Sequence, residues 1–321
     1  MTPHLETANF EVVDLSHLGA AGLEALLEEE SATWRENLDW DFSASADLVR
    51  RFTLRGMLTG NALIAHGIVA GYSYFVVDEH KGLIGDLYVR RALRDARAEA
   101  LLLEAVVQRL ILIPQLRRIE SQLMLLDNPL ARHLPAARYA STHQRNFMMV
   151  NLDDSHLTPA RLHTGLRIEN WSEWRQAEVG HLIAEAYQDH VDGQINDQYR
   201  SVAGAQRFLT NIVQYPGCGT FFAPASFLAA HGYTGRLCGA CLASLVAPAV
   251  GHITQVCVEP AMQGTGLGYE LVRRSLAALA GHGCRKASLT VTTANRNAVS
   301  LYERMGFAVR RRFAAYVWEG F

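Results

Sequence analysis

The sequence predicts a mixed α/β chain of the α+β kind, folded as two consecutive similar domains. Each would be a mostly antiparallel sheet flanked by helices. Three observations predict it. At 321 residues the chain can hold about two domains of ~150 residues, each large enough to bury a core. Runs in the first half recur in the second. Within each half a strand-like run feeds a helix and then another strand, the order of one parallel crossover in an otherwise antiparallel sheet.

Taken in order, "FEVVDL" (Phe10–Leu15) echoes "LRIENW" (Leu166–Trp171), and "NALIAHG" (Asn61–Gly67) resembles "SFLAAHG" (Ser226–Gly232). "GYSYFVV" from Gly71 lies over "GACLASLV" from Gly239. "GLIGDLYV" ending at Val89 matches "GHITQVCV" ending at Val258, an offset of 169 (258 − 89). The helices that follow are "RDARAEALLLEAVVQRL" and "GTGLGYELVRRSLAALAGHG". The apolar run "LLLEAVVQRLILIP" (Leu101–Pro114) is broken by Glu104, Gln108 and Arg109 and is too short for a bilayer, so it reads as a core-facing helix. A polar stretch without periodicity, "DDSHLTPARLHTG" (Asp153–Gly165), marks the seam. The expected domains are residues 1–155 and 156–321.

The composition, 49% hydrophobic and 19% charged, is that of an ordinary soluble globular protein. A net charge of −2 supplies no general attraction for nucleic acid or an anionic membrane, so neither is expected as a partner. "MTPHLETANF" has no signal-peptide pattern, and the five cysteines form no disulfide scaffold; a cytoplasmic monomer or homodimer is expected. "CGAC" (Cys238–Cys241) sits in a strand-like run. Positions three apart on a strand face opposite ways, so these thiols are expected to diverge and pack, and no metal is expected.

The informative segment is "MQGTGLGYELVRR" (Met262–Arg274), with three glycines in five residues at the mouth of a helix. A helix start exposes unpaired N–H groups and the positive end of the dipole. Glycines let phosphate oxygens approach that backbone without meeting β-carbons. The spacing Gly264, Gly266, Gly268 is not G-x-G-x-x-G, no acidic residue follows about 20 positions on at a second strand end, and the Walker pattern is absent. Neither a dinucleotide nor ATP is the natural ligand.

Gln263-x-x-Gly266-x-Gly268 behind a V-x-V strand end resembles the acyl-CoA motif of the GNAT superfamily of N-acyltransferases. "NRNAVSLYERMGF" (Asn295–Phe307) resembles that family's N-x-x-A-x-x-L-Y-x-x-x-G-F segment, and the two motifs cover residues 165–321 in the right order. The resemblance implies acetyl-CoA or another acyl-CoA as co-substrate, its pyrophosphate on the amides of Gln263, Gly264, Thr265, Gly266, Leu267 and Gly268. It also implies that pantetheine lies along Cys257 and Val258, and that Asn295 contacts the cofactor or acyl end; Asn295 equally suits a helix N-cap. At the 169 offset Arg94, Asp95, Arg97 and Glu99 replace Gln263 and the glycines, so the first copy is expected to be a degenerate, noncatalytic GNAT fold. That layout is similar to other tandem GNAT enzymes.

Acyl transfer to an amine needs a deprotonated amine, a held oxyanion and a proton for the leaving thiolate. The resemblance implies direct transfer, Tyr302 as proton donor and a backbone N–H near Val256–Val258 for the oxyanion. It places a base at His252, which is equally suited to packing; Glu259 is expected to be a solvated turn residue. "AYQDHVDGQINDQYRS" (Ala186–Ser201) concentrates hydrogen-bonding groups, among them Asp192 and Tyr199, with Tyr187, Asp189 and His190 the expected acceptor contacts, unless it is a polar surface loop. The expected activity is N-acetyl transfer to a primary amine of a small molecule or amino-acid-like metabolite. The alternatives are a noncatalytic acyl-CoA sensor and a protein N-terminal or lysine acetyltransferase.

Overall fold

The computed structural model describes residues 9–153, 157–162, 165–215 and 217–321. Parts of the expected seam, residues 154–156 and 163–164, and the first eight residues of the chain lie outside these. No helix among the described residues is long and apolar enough to cross a membrane.

The chain forms two compact units. One comprises residues up to Glu36, Asp41–Gln144 and Phe313–Phe321; the other comprises Asn37–Trp40 and Arg145–Arg312. The first unit carries β1 (Phe10–Asp14), α1 (Ala20–Leu38), α2 (Ser43–Leu54), β2 (Thr59–Ala65), β3 (Ile68–Asp78), β4 (Lys81–Val89), α3 (Ala96–Ile111) and β5 (Arg118–Gln122). Strand β6 (Ala140–Asn151) leads out of it. The second unit carries β7 (Leu166–Asn170), α4 (Gln176–Ala186), α5 (Asp192–Ile195), α6 (Val202–Gln214), β8 (Thr220–Phe221), β9 (Phe227–His231) and β10 (Leu237–Ala247). It continues with β11 (Val250–Val258), α7 (Leu267–Gly281), β12 (Lys286–Thr292), α8 (Arg296–Arg304) and the start of β13 (Ala308–Glu319).

Both sheets follow one plan. In the first unit β1, β2, β3 and β4 pair antiparallel, and β4 runs parallel to β5. In the second, β7, β9, β10 and β11 pair antiparallel, and β11 runs parallel to β12. The last strand of each comes from the other half of the sequence: β13 pairs with β5 through Ala315–Glu319, and β6 pairs with β12 through Arg145–Asn151. A strand edge needs a partner for its N–H and C=O groups, and this exchange supplies one to both sheets. A linear cut at residue 155 therefore does not delimit the compact units.

The repetition extends to an irregularity. Each sheet carries a register shift in which the residue between Ile84 and Asp86, or between Ile253 and Gln255, is left without an opposite number. These bulged residues, Gly85 and Thr254, are 169 apart (254 − 85), the offset of the sequence repeat.

In the second unit the sheet separates two apolar layers. On one side α7 presents Leu267, Leu271, Val272, Leu276 and Leu279, at i, i+4, i+5, i+9 and i+12, to Cys241, Ala243, Ile253 and Leu289. On the other, Val179, Leu182 and Ile183 of α4 and Ala205 and Leu209 of α6 cover Ala240, Leu242 and Cys257. The Ser201 hydroxyl caps α6 by accepting from the Gly204 amide at 3.0 Å. Cys238 and Cys241 do not diverge. A register shift between Leu237 and Gly239 interrupts the alternation, and both thiols join the cluster on the α7 side. Burial pushes them up to about 11 and about 12, so they stay protonated and pack.

Candidate active site

Strands β11 and β12 pair only from Val250–Ile253 to Lys286–Leu289. Beyond that the bulge at Thr254, whose hydroxyl donates to the Leu242 carbonyl at 3.0 Å, turns β11 away from its neighbour. The other edge of β11 stays paired with β10 through Val258. The Tyr187 hydroxyl donates to the Val256 carbonyl at 3.1 Å, and the Gln263 side-chain amide reaches the Val258 carbonyl at 3.4 Å. Both carbonyls therefore point to the open edge. In an extended antiparallel strand a residue's N–H points to the same edge as its C=O. Val256 and Val258 thus offer N–H groups to the cleft, while Cys257 turns its side chain, 4% exposed, into the α4 layer.

The glycine turn lies at the end of this open edge. Gly264 and Gly266 have φ of +77° and +87°, the left-handed region that side-chain-bearing residues avoid. A Cβ on Gly264 would meet nothing within 4 Å, and one on Gly266 only Ala160, at 3.7 Å. Internal packing does not demand these glycines; they keep the outer surface of the turn clear. The Thr265 hydroxyl donates to the Met262 carbonyl at 2.7 Å and closes the turn. The first amides of α7, from Leu267 on, have no intrahelical acceptor by position and face outward with the positive end of the dipole. Glu270 in that first turn is buried and bound by Arg273 and Arg274, each at 2.8 Å. The Arg273 hydrogen bond, aided by Arg274 and the Ala160 amide, holds its carboxyl down at about 2, so it stays ionised, and the two guanidiniums offset its charge toward an anion. An acyl-CoA fits this surface: a phosphate cradle adjoining an unpaired strand edge.

Tyr302 of α8 is buried, edge-on to Phe307 at 5.8 Å. Burial, with the Cys241 thiol and the Asp192 carboxylate nearby, pushes its phenol well above the usual range, so it keeps its proton. Asn295 caps α8, its Oδ1 accepting from the Ala298 amide at 3.2 Å, while its Nδ2 lies 3.2 Å from His190 Nε2. Tyr187 stacks on Tyr199 at 4.4 Å, and the Thr292 hydroxyl at the end of β12 donates to Asp192. The segment after α4 is therefore tied to β11 through Tyr187 and Tyr199, and to β12 and α8 through Asp192 and His190. Asp189 is apart from this group: it is exposed in a turn, with φ of +56°.

His252 lies away from the cleft. It is 5% exposed, edge-on to Trp40 at 5.0 Å and stacked with Phe147 at 6.3 Å, with Nδ1 2.9 Å from the Ser288 hydroxyl. Burial, with Arg145 nearby, lowers it to about 3, and a ring that resists a proton this strongly takes none from an amine near neutral pH. The base expected at His252 is thus a packed core histidine. Glu259 is not a solvated turn residue: it is 2% exposed and paired with Arg236 and with His231 Nε2 at 2.7 Å. His231, Cys238 and Glu259 have the donor types of a metal site, but the Arg236 guanidinium already neutralises the carboxylate, which disfavours a second cation there.

The pattern of the Acetyltransferase (GNAT) family matches residues 193–307, the stretch that holds the open edge, the cradle and Tyr302. Residues 193–307 thus form a GNAT-family domain. Over 103 residues it is 38% identical to a mycothiol acetyltransferase of Acidimicrobium ferrooxidans, a match covering 31% of this chain and 33% of that one. The chain thus spans about a third of that curated relative's length. In fold the likeness covers the whole chain. A GCN5-related N-acetyltransferase from Sphaerobacter thermophilus superposes with a TM-score of 0.66 at 18% identity, over 97% of this chain and 95% of that one. A tandem GNAT protein from the clavulanic acid biosynthesis pathway superposes with a TM-score of 0.61 at 14% identity, over 97% and 98%.

The first unit has the strand and helix order of the second, but its own side chains occupy the surface equivalent to the glycine turn. Asp95 caps α3 by accepting from the Ala98 amide at 2.7 Å, putting a carboxylate over the first amides of that helix. Arg94 folds back onto the Val89 carbonyl, at 3.1 and 2.8 Å, and lies 4.7 Å over the Tyr88 ring. Glu99 is buried against Arg132.

The residues that sequence reasoning left out are Gln255 and Thr292. Gln255 had a signal: it is a polar side chain inside "HITQVCV", and Asp86 is its counterpart at the 169 offset.

Proposed function

We propose that the protein is an acyl-CoA-dependent N-acyltransferase, using acetyl-CoA, that works through its second unit on a primary amine of a small or amino-acid-like molecule. The observation that carries this reading is the continuity between the glycine cradle and the unpaired Val256–Val258 edge, with a protonated phenol at Tyr302. The diphosphate would rest on the amides of Gln263–Gly268 and pantetheine would extend the sheet along Cys257 and Val258. The amine nitrogen attacks the thioester carbon, and a backbone N–H of the Val256–Val258 edge stabilises the oxyanion. As the C–S bond breaks, the Tyr302 hydroxyl donates to the leaving thiolate, and the proton shed by the attacking nitrogen is relayed back to that hydroxyl, so that amide and free thiol leave and the phenol is restored. The first unit is a noncatalytic GNAT fold on this reading, since its own Asp95 and Arg94 occupy the equivalent surface.

A small acceptor is favoured over a protein chain because the segment after α4 bridges the cleft through the Tyr187–Val256 and Asp192–Thr292 hydrogen bonds, narrowing the approach. Turnover separates an enzyme from an acyl-CoA sensor. Incubating amines with acetyl-CoA and detecting free thiol should reveal acceptor-dependent release. Binding of acetyl-CoA without any release, or binding in the first unit alone, would overturn the reading.

A further inference from the structure

One buried polar group in the cleft is left without a partner by the machinery above. The Gln255 side chain is 4% exposed, and its Oε1 accepts from the Tyr199 hydroxyl at 3.2 Å, while its Nε2 has no hydrogen-bond partner. A buried donor left unsatisfied costs about 1–3 kcal/mol, so such a group usually has a use. Its position suggests one. Gln255 follows the bulged Thr254 and precedes Val256, where β11 leaves β12. Tyr199 stacks on Tyr187, which in turn binds the Val256 carbonyl. Across the opening, Asp192 is anchored to Thr292 at the end of β12. A carboxylate can accept about four hydrogen bonds, so one from Thr292 leaves acceptor capacity for an amine. The mouth of the cleft is thus flanked by an acceptor on the β12 side and a free donor on the β11 side.

We propose that the acceptor is an α-amino acyl compound, its amine hydrogen-bonded to Asp192 and the oxygen on the adjacent carbonyl carbon taking the Gln255 Nε2–H. This rests on the acyltransferase reading and narrows its substrate class; Gln255 is the specificity-determining residue. A plain alkylamine would leave the Gln255 donor buried and unpaired, and sites built around such a donor discriminate against ligands that lack its partner. Gln255 serves recognition here, while the chemistry of transfer is unchanged.

The test uses matched acceptors with and without the carbonyl, L-phenylalaninamide against phenethylamine and L-leucinamide against isoamylamine, with acetyl-CoA and the full-length protein. The carbonyl-bearing member of each pair should have the higher kcat/KM, by about tenfold or more. In Gln255→Met that ratio should collapse to within about twofold. Thermal melting should change little, because the substitution removes an unsatisfied buried donor together with the acceptor of the Tyr199 hydroxyl, two effects of opposite sign. A purely structural Gln255 would instead lower the melting temperature on substitution and leave the ratio as it was. Equal rates within the pairs, or a preference that survives in Gln255→Met, overturns the inference and leaves acyl transfer standing. Failure to acetylate any of the four overturns it as well, and calorimetric titration with acetyl-CoA, run in parallel, then decides the acyltransferase reading separately.

Discussion

The Tyr187 hydroxyl caps the Val256 carbonyl at 3.1 Å, on the strand edge that β12 abandons four pairs into its run beside β11. It holds the segment after α4 over the cleft and keeps a carbonyl in the open edge satisfied. Removing it in Tyr187→Phe should cost about 1 kcal/mol of stability in the second unit. KM for the amine should rise more than KM for acetyl-CoA. Chemical denaturation and initial-rate kinetics read the two effects.

The glycine turn allows a test that separates backbone strain from ligand contact. Gly266→Val and Gly283→Val both force a side chain into a left-handed φ, +87° and +99°, at sites where a Cβ would meet nothing closer than 3.7 Å. Each should lose about 1–2 kcal/mol of stability. Only Gly266→Val should weaken acetyl-CoA binding, by tenfold or more, because its new β-carbon stands over the amides. Equal affinities in calorimetric titration would remove the cradle from the account.

Tyr302→Phe deletes a hydroxyl that burial keeps protonated. Turnover should fall by about a hundredfold, with acetyl-CoA affinity within about twofold of the parent. Unchanged kcat would exclude the phenol from assisting the leaving sulfur.

His252 should show itself in stability against pH rather than in catalysis. Its pKa in the folded protein is depressed to about 3. The unfolded chain therefore takes up a proton below about pH 6.5 that the folded protein refuses. Stability is fully present above that pH and is lost as pH falls towards 3, at up to about 1.4 kcal/mol per pH unit. The loss on acidification should be shallower in His252→Gln, measured by urea denaturation from pH 7 to pH 4.

In the first unit the sign reverses. Glu30 is buried beside Asp86, with the Tyr72 hydroxyl donating to it at 2.8 Å. Burial first, and then the Asp86 charge, push its carboxyl well above the usual carboxylate range. The folded state therefore holds a proton that the unfolded chain has released above about pH 4.5. Stability falls as pH rises from there towards the raised value. Glu30→Gln, neutral at every pH, should stabilise this unit more at pH 8 than at pH 5. A gain independent of pH would show that the pair is not sharing protons as described.

Much of this protein is local in sequence and so was readable there. The cradle is one strand end, one turn and one helix start within seventeen residues (Val258–Arg274), and a turn needing positive φ announces itself through Gly264 and Gly266. The repeat was readable because equivalent strands keep equivalent patterns; the matched bulges at Gly85 and Thr254 emerged only from the strand pairing. Polarity in a strand proved ambiguous, because alternation says which residues share a face but not what covers it. His252 and Gln255 lie three apart in β11, yet one is enclosed by Trp40 and Phe147 and the other stands beside Tyr199 at the cleft.

By itself, then, the sequence determined the two-fold repetition, the alternation of strands and helices, and the glycine turn at the start of α7, all set by backbone conformation and short-range periodicity. Only the tertiary structure decided which strands close each sheet, that His252 is packed, and that Asp192 and Gln255 flank one opening. Those outcomes depend on contacts between residues dozens to hundreds of positions apart, where burial and strand pairing over the whole fold outweigh any local preference.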